Sequence, residues 1–316
     1  MKRALCILCL AQAACASPAE PLVGAASQGL VGDGATLLPW GHGPGAVGLR
    51  PRGPETMALG PSAVAVSRDG AVLVLDRLNG RVLRVDAGGR VAEAAAVPRD
   101  SEDLAAGPQG GLAAFSPLRA RVWLRDGRGE PAGELAVPRL FREVRRVGLG
   151  VSLTVTVHDA HQETYHLGSP SAPSNLEAAM TSRREGAFVL DDGAGVAVLL
   201  RRGMPELLRL LPGPRARVVG RHLLPRRALA ARIIGAAGNA VCLRTEDQHP
   251  TRVDEIDRRV VCLDATSGRL LLDRRLPAPG LYLPRRELAM GGDPTRLALI
   301  HPGPLGLQVK TWRVGP

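Results

Sequence analysis

From Pro61 to Val97 the chain alternates short apolar runs with turn-forming pairs, and this rhythm limits what it can fold into. Ala63 to Val66 is followed by a turn at Arg68-Asp69-Gly70, and Ala71 to Leu75 by one at Asp76 to Gly80. Arg81 to Asp86 is followed by Ala87-Gly88-Gly89, and a last run spans Arg90 to Val97. Asp-Gly, Asn-Gly and Gly-Gly pairs accept the backbone angles of tight turns at little cost, so runs of about five residues between them form antiparallel strands. The segment is predicted to be a single four-stranded meander.

The same pattern recurs. Asp103 to Val137 repeats it, with turns at Gly107 to Gly111 and at Asp126-Gly127. Val144 to Met180 is centred on the alternating Leu153-Thr154-Val155-Thr156-Val157. Gly186 to Leu224 carries Asp191-Asp192-Gly193, Arg232 to Leu276 carries Gly238-Asn239 and Thr266-Ser267-Gly268, and Glu287 to Val314 supplies three strands. A four-strand unit repeated about every 40–45 residues cannot bury both of its faces alone and must stack in a ring. The fold class is therefore all-β, a β-propeller of six four-stranded blades, with five or seven as the alternatives. The short last unit calls for closure by a strand from the N-terminal side, for which Ala46 to Arg50 is the candidate. The domain reading is a signal at 1–16, a Gly/Pro/Ala-rich linker at 17–45 and a propeller at 46–316.

The first unit also resembles a known family. Pro61-Ser62-Ala63-Val64-Ala65-Val66, Asp69-Gly70 and then Val74-Leu75-Asp76-Arg77-Leu78-Asn79-Gly80-Arg81-Val82 is similar to the NHL repeat. The resemblance implies a structural role for Asp76, Asn79 and Arg81, which in that family tie one strand to the next turn. It covers one unit, and the others keep the rhythm without the Asp-x-x-Asn-x-Arg set. Fold resemblance carries no function across.

Composition suits this architecture. Gly (38) and Pro (26) are abundant, as a fold of many turns requires, and 3% aromatic content leaves the core to Val, Leu, Ala and Ile. The formal charge of +11 raises the question of nucleic acid. Yet Lys2 and Lys310 are the only lysines, and the arginines are scattered, many in pairs such as Arg145-Arg146, Arg258-Arg259 and Arg285-Arg286. Neither a basic helix nor Arg–aromatic alternation is present, so no nucleic-acid partner is expected.

The N-terminus reads as an export signal. Lys2 and Arg3 precede an apolar stretch, Ala4 to Ala14, which is too short to span a bilayer and is followed by small residues. Cleavage before Ser17 would release a secreted protein. Alternatively, Ala13-Ala14-Cys15-Ala16-Ser17 resembles a bacterial lipoprotein signal, in which Cys15 would be lipidated, although Gln12 stands where that pattern usually has Leu. The expected location is thus the periplasm or outer membrane, or secretion, with membrane contact only through a lipid anchor. Cys242 and Cys262 fall opposite each other if their strands pair across the loop 245–259. They are then either a cross-strand disulfide in an oxidising compartment or two buried thiols.

Candidates for chemistry are sparse. His158, Asp159 and His161, with Gln162, Glu163 and His166, form the densest group of ligand-type side chains, but their spacing matches no metal motif. Glu246, Asp247, Gln248, His249, Asp254, Glu255 and Asp257 form an acidic loop that reads as a solvated insertion or a recognition element. Gly-x-Ser-x-Gly and phosphate-cradling Gly-rich motifs are absent. The predicted inner strands are apolar, with acids only near their ends (Asp103, Glu185, Glu287). The expected function is a non-catalytic, monomeric scaffold that binds a protein or glycan and needs no cofactor. The alternative is a metal-dependent, lactonase-like propeller hydrolase with its site in the central channel.

Overall fold

The computed structural model describes residues 35–141, 144–159, 161–186, 188–190, 192–211, 216–248, 251 and 255–315. The signal, Cys15, most of the linker, Asp191, His249 and Asp254 lie outside the described residues. Six antiparallel sheets follow one another along the chain. Blade 1 contains Ala63–Val66, Val72–Asp76, Arg81–Val85 and Val91–Ala96. Blade 2 contains Asp103–Ala106, Leu112–Ser116, Arg121–Arg125 and Pro131–Ala136. In blade 3, Arg146–Leu149, Val155–His158 and Glu163–Ser169 are followed by two-residue pieces, Ala172–Pro173 and Arg184–Glu185, that both pair with the third strand. A short helix, Leu176–Thr181, lies between those pieces, capped by Asn175, whose side chain accepts from the Ala178 N–H.

Blade 4 contains Phe188–Val189, Gly195–Arg201, Met204–Leu211 and Arg217–Leu223. Blade 5 contains Ala230–Ala237, Ala240–Gln248, Ile256–Asp264 and Leu270–Arg275. Blade 6 takes Leu288–Gly291, Arg296–Gly303 and Gly306–Arg313 from the C-terminal end and its outermost strand, Ala35–Pro39, from the N-terminal end. Closure therefore uses a strand from the N-terminal side, but not Ala46 to Arg50. Ala35 pairs with Lys310 and Pro39 with Gly306, and Trp40 Nε1 donates to the Gly303 carbonyl at 3.1 Å. The segment read as linker hides this strand because Ala-Thr-Leu-Leu-Pro ends in a proline, which an edge strand tolerates and an interior strand does not.

The stacking explains the continuous apolar runs. Successive side chains of a strand point to opposite faces, and here both faces are covered. In blade 1, Val64, Val66, Val72 and Val74 pack toward blade 6, whereas Ala63, Ala65, Leu73 and Leu75 pack toward blade 2. Similar apolar layers fill the seams between blades 2 and 3, 4 and 5, and 5 and 6. Small Ala and Val side chains let neighbouring sheets approach closely. At Gly235, on the inner strand of blade 5, a Cβ would lie 2.6 Å from that of Met290 on the inner strand of blade 6, so no larger residue fits.

The seam between blades 3 and 4 is built differently. Among the described residues it is held by polar contacts. Gln162 clasps the backbone of Val198, its amide donating to the carbonyl at 2.9 Å and accepting from the N–H at 2.8 Å. Thr164 donates to the Gly186 carbonyl at 2.9 Å, and the His158 ring stacks on Phe188 at 5.2 Å. The inner strand of blade 4 is only two residues long, so it offers little apolar surface to its neighbour.

The Asp76 set ties the N-terminal segment to blade 1. The fully buried Asp76 accepts from Gly48 N at 3.0 Å, Asn79 Nδ2 at 2.7 Å and Arg81 Nε at 3.3 Å. Asn79 also donates to the Gly41 carbonyl, and Arg81 to those of Gly43 and Ala46. These bonds hold the stretch that leads from the closing strand into the first blade.

Candidate functional site: the arginine-lined channel mouth

The inner strands of the six blades run side by side around the axis, so their first residues converge at one end of the channel. Asp103 opens the inner strand of blade 2, Arg146 that of blade 3, and Arg286-Glu287 precede that of blade 6. Arg232 lies near the start of the corresponding strand in blade 5. His158, which ends the antiparallel second strand of blade 3, returns to the same mouth. Arg146, His158, Arg232, Arg286 and Glu287, with Asp159 beside them, line a cavity of about 470 Å³, within the range of small-molecule sites, and Asp103 lies behind Arg286.

Two carboxylates are locked into arginine clusters. Arg286 reaches across the channel to blades 2 and 3, donating to Asp103 Oδ2 at 2.6 Å, the Leu104 carbonyl at 2.5 Å and the Val147 carbonyl at 3.0 Å. The same Asp103 oxygen accepts from Val147 N at 2.7 Å, so this carboxylate joins three blades. Burial pushes Arg286 below its usual pKa, with Asp103 opposing that effect and Arg285 adding to it. On the other side, Glu287 accepts from Arg244 Nη1 at 2.5 Å and from Arg258 Nη2 at 2.6 Å, and all three side chains are buried. Arg285 pairs with Glu102 at 2.9 Å and donates to the Val144 carbonyl at 2.6 Å.

Arg146 and Arg232 stand apart from these pairs. Arg146 crosses the gap beside the short strand of blade 4, donates to the Ile234 carbonyl of blade 5 and lies over Phe188 at 5.0 Å. Its pKa is held well below the usual value, first by burial and then by Arg286, with Asp103 opposing and Arg232 adding repulsion. Arg232 remains accessible to solvent although protein crowds it at the mouth. Its pKa too is lowered, by desolvation and then by Arg244, with Glu287 and Glu246 opposing. Both guanidinium groups stay protonated at any physiological pH, and neither forms an ion pair with a described carboxylate.

The histidine group of the sequence divides. His158 is buried, hydrogen-bonded to Thr164 Oγ1 at 2.9 Å and near Thr156 Oγ1 at 3.5 Å. Burial, then Arg146 and Arg286, push its pKa down to about 3, so the imidazole is neutral. Asp159 turns its Oδ1 to the N–H groups of His161 and Glu163 at 2.9 and 3.0 Å, shaping the hairpin loop. His161 is exposed and His166 half-buried. Among the described residues, no three His, Cys, Asp or Glu side chains gather as a metal ion would require. Glu185, the third acid flagged near an inner strand, is exposed and pairs in strand register with Glu163.

His158 gives a pH prediction. Its native pKa lies below the unfolded value of about 6.5, so between those values the unfolded chain takes up a proton that the native state refuses. Stability is then fully present above about pH 6.5 and falls by about 1.4 kcal/mol per unit below it, or about 2 kcal/mol by pH 5. Urea unfolding at several pH values should show this slope, and His158→Gln should flatten it by about one proton. An unchanged slope would mean that His158 is protonated in the native state.

The arginines were missed as site residues because pairs such as Arg145-Arg146 look alike in sequence. In a strand, though, adjacent residues face opposite ways, and acids at inner-strand ends were the available signal for where the inward partners would sit.

The sequence matches no family model and no curated protein. Among solved structures the chain is similar to a streptogramin B lyase (14% identity, TM-score 0.44, covering 81% of this chain and 83% of that one). It is also similar to the PQQ-bound aldose sugar dehydrogenase of Streptomyces coelicolor (15%, TM-score 0.43, 79% and 94%). A third similar structure is a protein of unknown function from Bacteroides caccae (14%, TM-score 0.42, 69% and 82%). At such identities and TM-scores nothing of these proteins is carried across to this chain. With six blades in sequence order around one axis and an N-terminal strand completing the last, the chain is a six-bladed β-propeller.

Proposed function

We propose that this propeller is exported and serves as a non-catalytic, monomeric binding scaffold of the cell envelope. The observation that carries the reading is the channel mouth, where Asp103 and Glu287 pair with arginines and, of the lining residues, Arg146 and Arg232 outnumber the remaining carboxylate, Asp159. A channel site for a hydrolytic metal ion would need free carboxylates to hold the cation, and this arrangement repels one instead. The Cys242–Cys262 disulfide supports an oxidising compartment, and the Lys2-Arg3 start with its short apolar stretch supports export. A protein or glycan of the envelope is the partner class, and any membrane contact runs through Cys15.

Metal analysis of purified protein tests the scaffold reading, and no stoichiometric Ca or Zn is expected. A bound metal whose removal abolishes lactonase or esterase activity would replace that reading with the hydrolase alternative. Mass spectrometry of the mature N-terminus tests export. Diacylglyceryl-Cys15 or a free Ser17 would each support it, and a chain retaining Met1 in the cytoplasm would overturn it.

A further inference from the structure

The scaffold reading leaves open what the channel mouth takes, and resting on that reading we propose that it binds a small organic oxyanion, a carboxylate- or phosphate-bearing molecule gripped by Arg146 and Arg232. Three observations lead there. The first is charge. Arg286 is matched by Asp103, and Arg244 and Arg258 by Glu287, but neither Arg146 nor Arg232 has a carboxylate partner among the described residues. Two cations that face one cavity repel each other, and an anionic ligand would relieve that repulsion.

The second observation is space. The described inner strand of blade 4 is Phe188–Val189, and Arg146 passes beside it to the Ile234 carbonyl of blade 5. The cavity is open between blades 3, 5 and 6, and the bridging arginine is held at its wall.

The third is the set of donors left to a ligand. Both ends of the Gln162 amide are spent on Val198, Asp159 Oδ1 on its own loop, and neutral His158 on Thr164. The donors that remain at the mouth are guanidinium N–H groups, with the Asp159 carboxylate at one side of the cavity. These donors lie in flat forks that match the paired oxygens of carboxylates and phosphates and suit neutral hydroxyls less well.

Arg232 provides the clean test, because it is accessible and has no described hydrogen bond to lose. Isothermal titration calorimetry of the full mature protein at low salt would use inorganic phosphate, galacturonate and citrate as probes, with galactose as the neutral control. At least one anion is expected to bind with Kd below about 1 mM and to weaken as salt rises. The phosphate and carboxylate arms identify which oxyanion is preferred. Arg232→Gln should weaken that binding about tenfold or more while leaving the urea midpoint unchanged or higher, since repulsion from Arg244 is relieved. A purely structural arginine would instead lower the midpoint on removal and leave binding intact. The proposal is overturned if no probe binds at about 10 mM, if galactose binds equally well, or if Arg232→Gln binds as the parent does. Those results would leave the scaffold reading standing, because export and metal content are measured separately.

Discussion

Glu287→Gln is expected to destabilise the propeller by about 3–5 kcal/mol, the largest effect of any single charge change in this chain. The carboxylate is buried and holds two buried guanidinium groups, Arg244 and Arg258, at 2.5 and 2.6 Å. Among the described residues, neutralising it leaves Arg258 with only the Pro277 carbonyl and Arg244 with only Glu246, where water has little access to replace the lost partner. The arrangement also joins blade 5 to blade 6, since Arg244 and Arg258 lie on adjacent strands of blade 5 while Glu287 leads into the inner strand of blade 6. Urea unfolding of the variant should show a lower midpoint at unchanged slope. The triple replacement of Glu287, Arg244 and Arg258 by Met is expected to recover most of the loss, because a buried ion cluster and a well-packed apolar one differ little in net stability. If Glu287→Gln cost less than about 1 kcal/mol, the cluster would have to be reached by water.

The second large effect concerns Cys242 and Cys262. They stand directly opposite each other on neighbouring strands of blade 5, are joined by a disulfide and are fully buried against blade 6. A bond closing a loop of about 20 residues restricts the unfolded chain and contributes about 3 kcal/mol. The double variant Cys242→Ala with Cys262→Ala should therefore unfold at a markedly lower urea concentration. Because neither sulfur is exposed, dithiothreitol should leave the folded protein unchanged at first and lower its midpoint only once unfolding exposes the bond. A reductant that broke the native bond within minutes would mean that blade 5 opens on its own.

The fold was far more readable than the site, for a physical reason. Blade architecture is written locally, in turn pairs such as Asp69-Gly70 and Asn79-Gly80 and in apolar runs such as Val72 to Leu75, and local signals survive in a bare sequence. The strand Ala63–Val66 falls where the pattern placed it, and Glu287 to Val314 supplies three strands as expected. The channel mouth, by contrast, is assembled from single residues of blades 2, 3, 5 and 6. Nothing near Arg286 in sequence indicates that it will meet Asp103, and nothing near Arg146 indicates that it will reach Ile234. The histidine group drew attention because its members are close in sequence, yet the strand turns His158 inward and the hairpin loop after it leaves His161 in solvent. The closing strand fell between these cases, since Ala35 to Pro39 has a strand's composition but a partner at the far end of the chain.

That partner has a kinetic consequence. Blades 1 to 5 can each pair their own strands as soon as those strands are available, but the sheet of blade 6 joins Ala35 to Lys310. Ala35–Pro39 must wait, unpaired, until Gly306–Arg313 arrives. Contacts so distant in sequence slow folding, because the entropy of closing the loop is spent before any contact rewards it. A chain threaded through an export channel would meet this delay in its purest form, its leading strand out in the new compartment while its mate is still on the other side. What completes the ring is the meeting of these two strands.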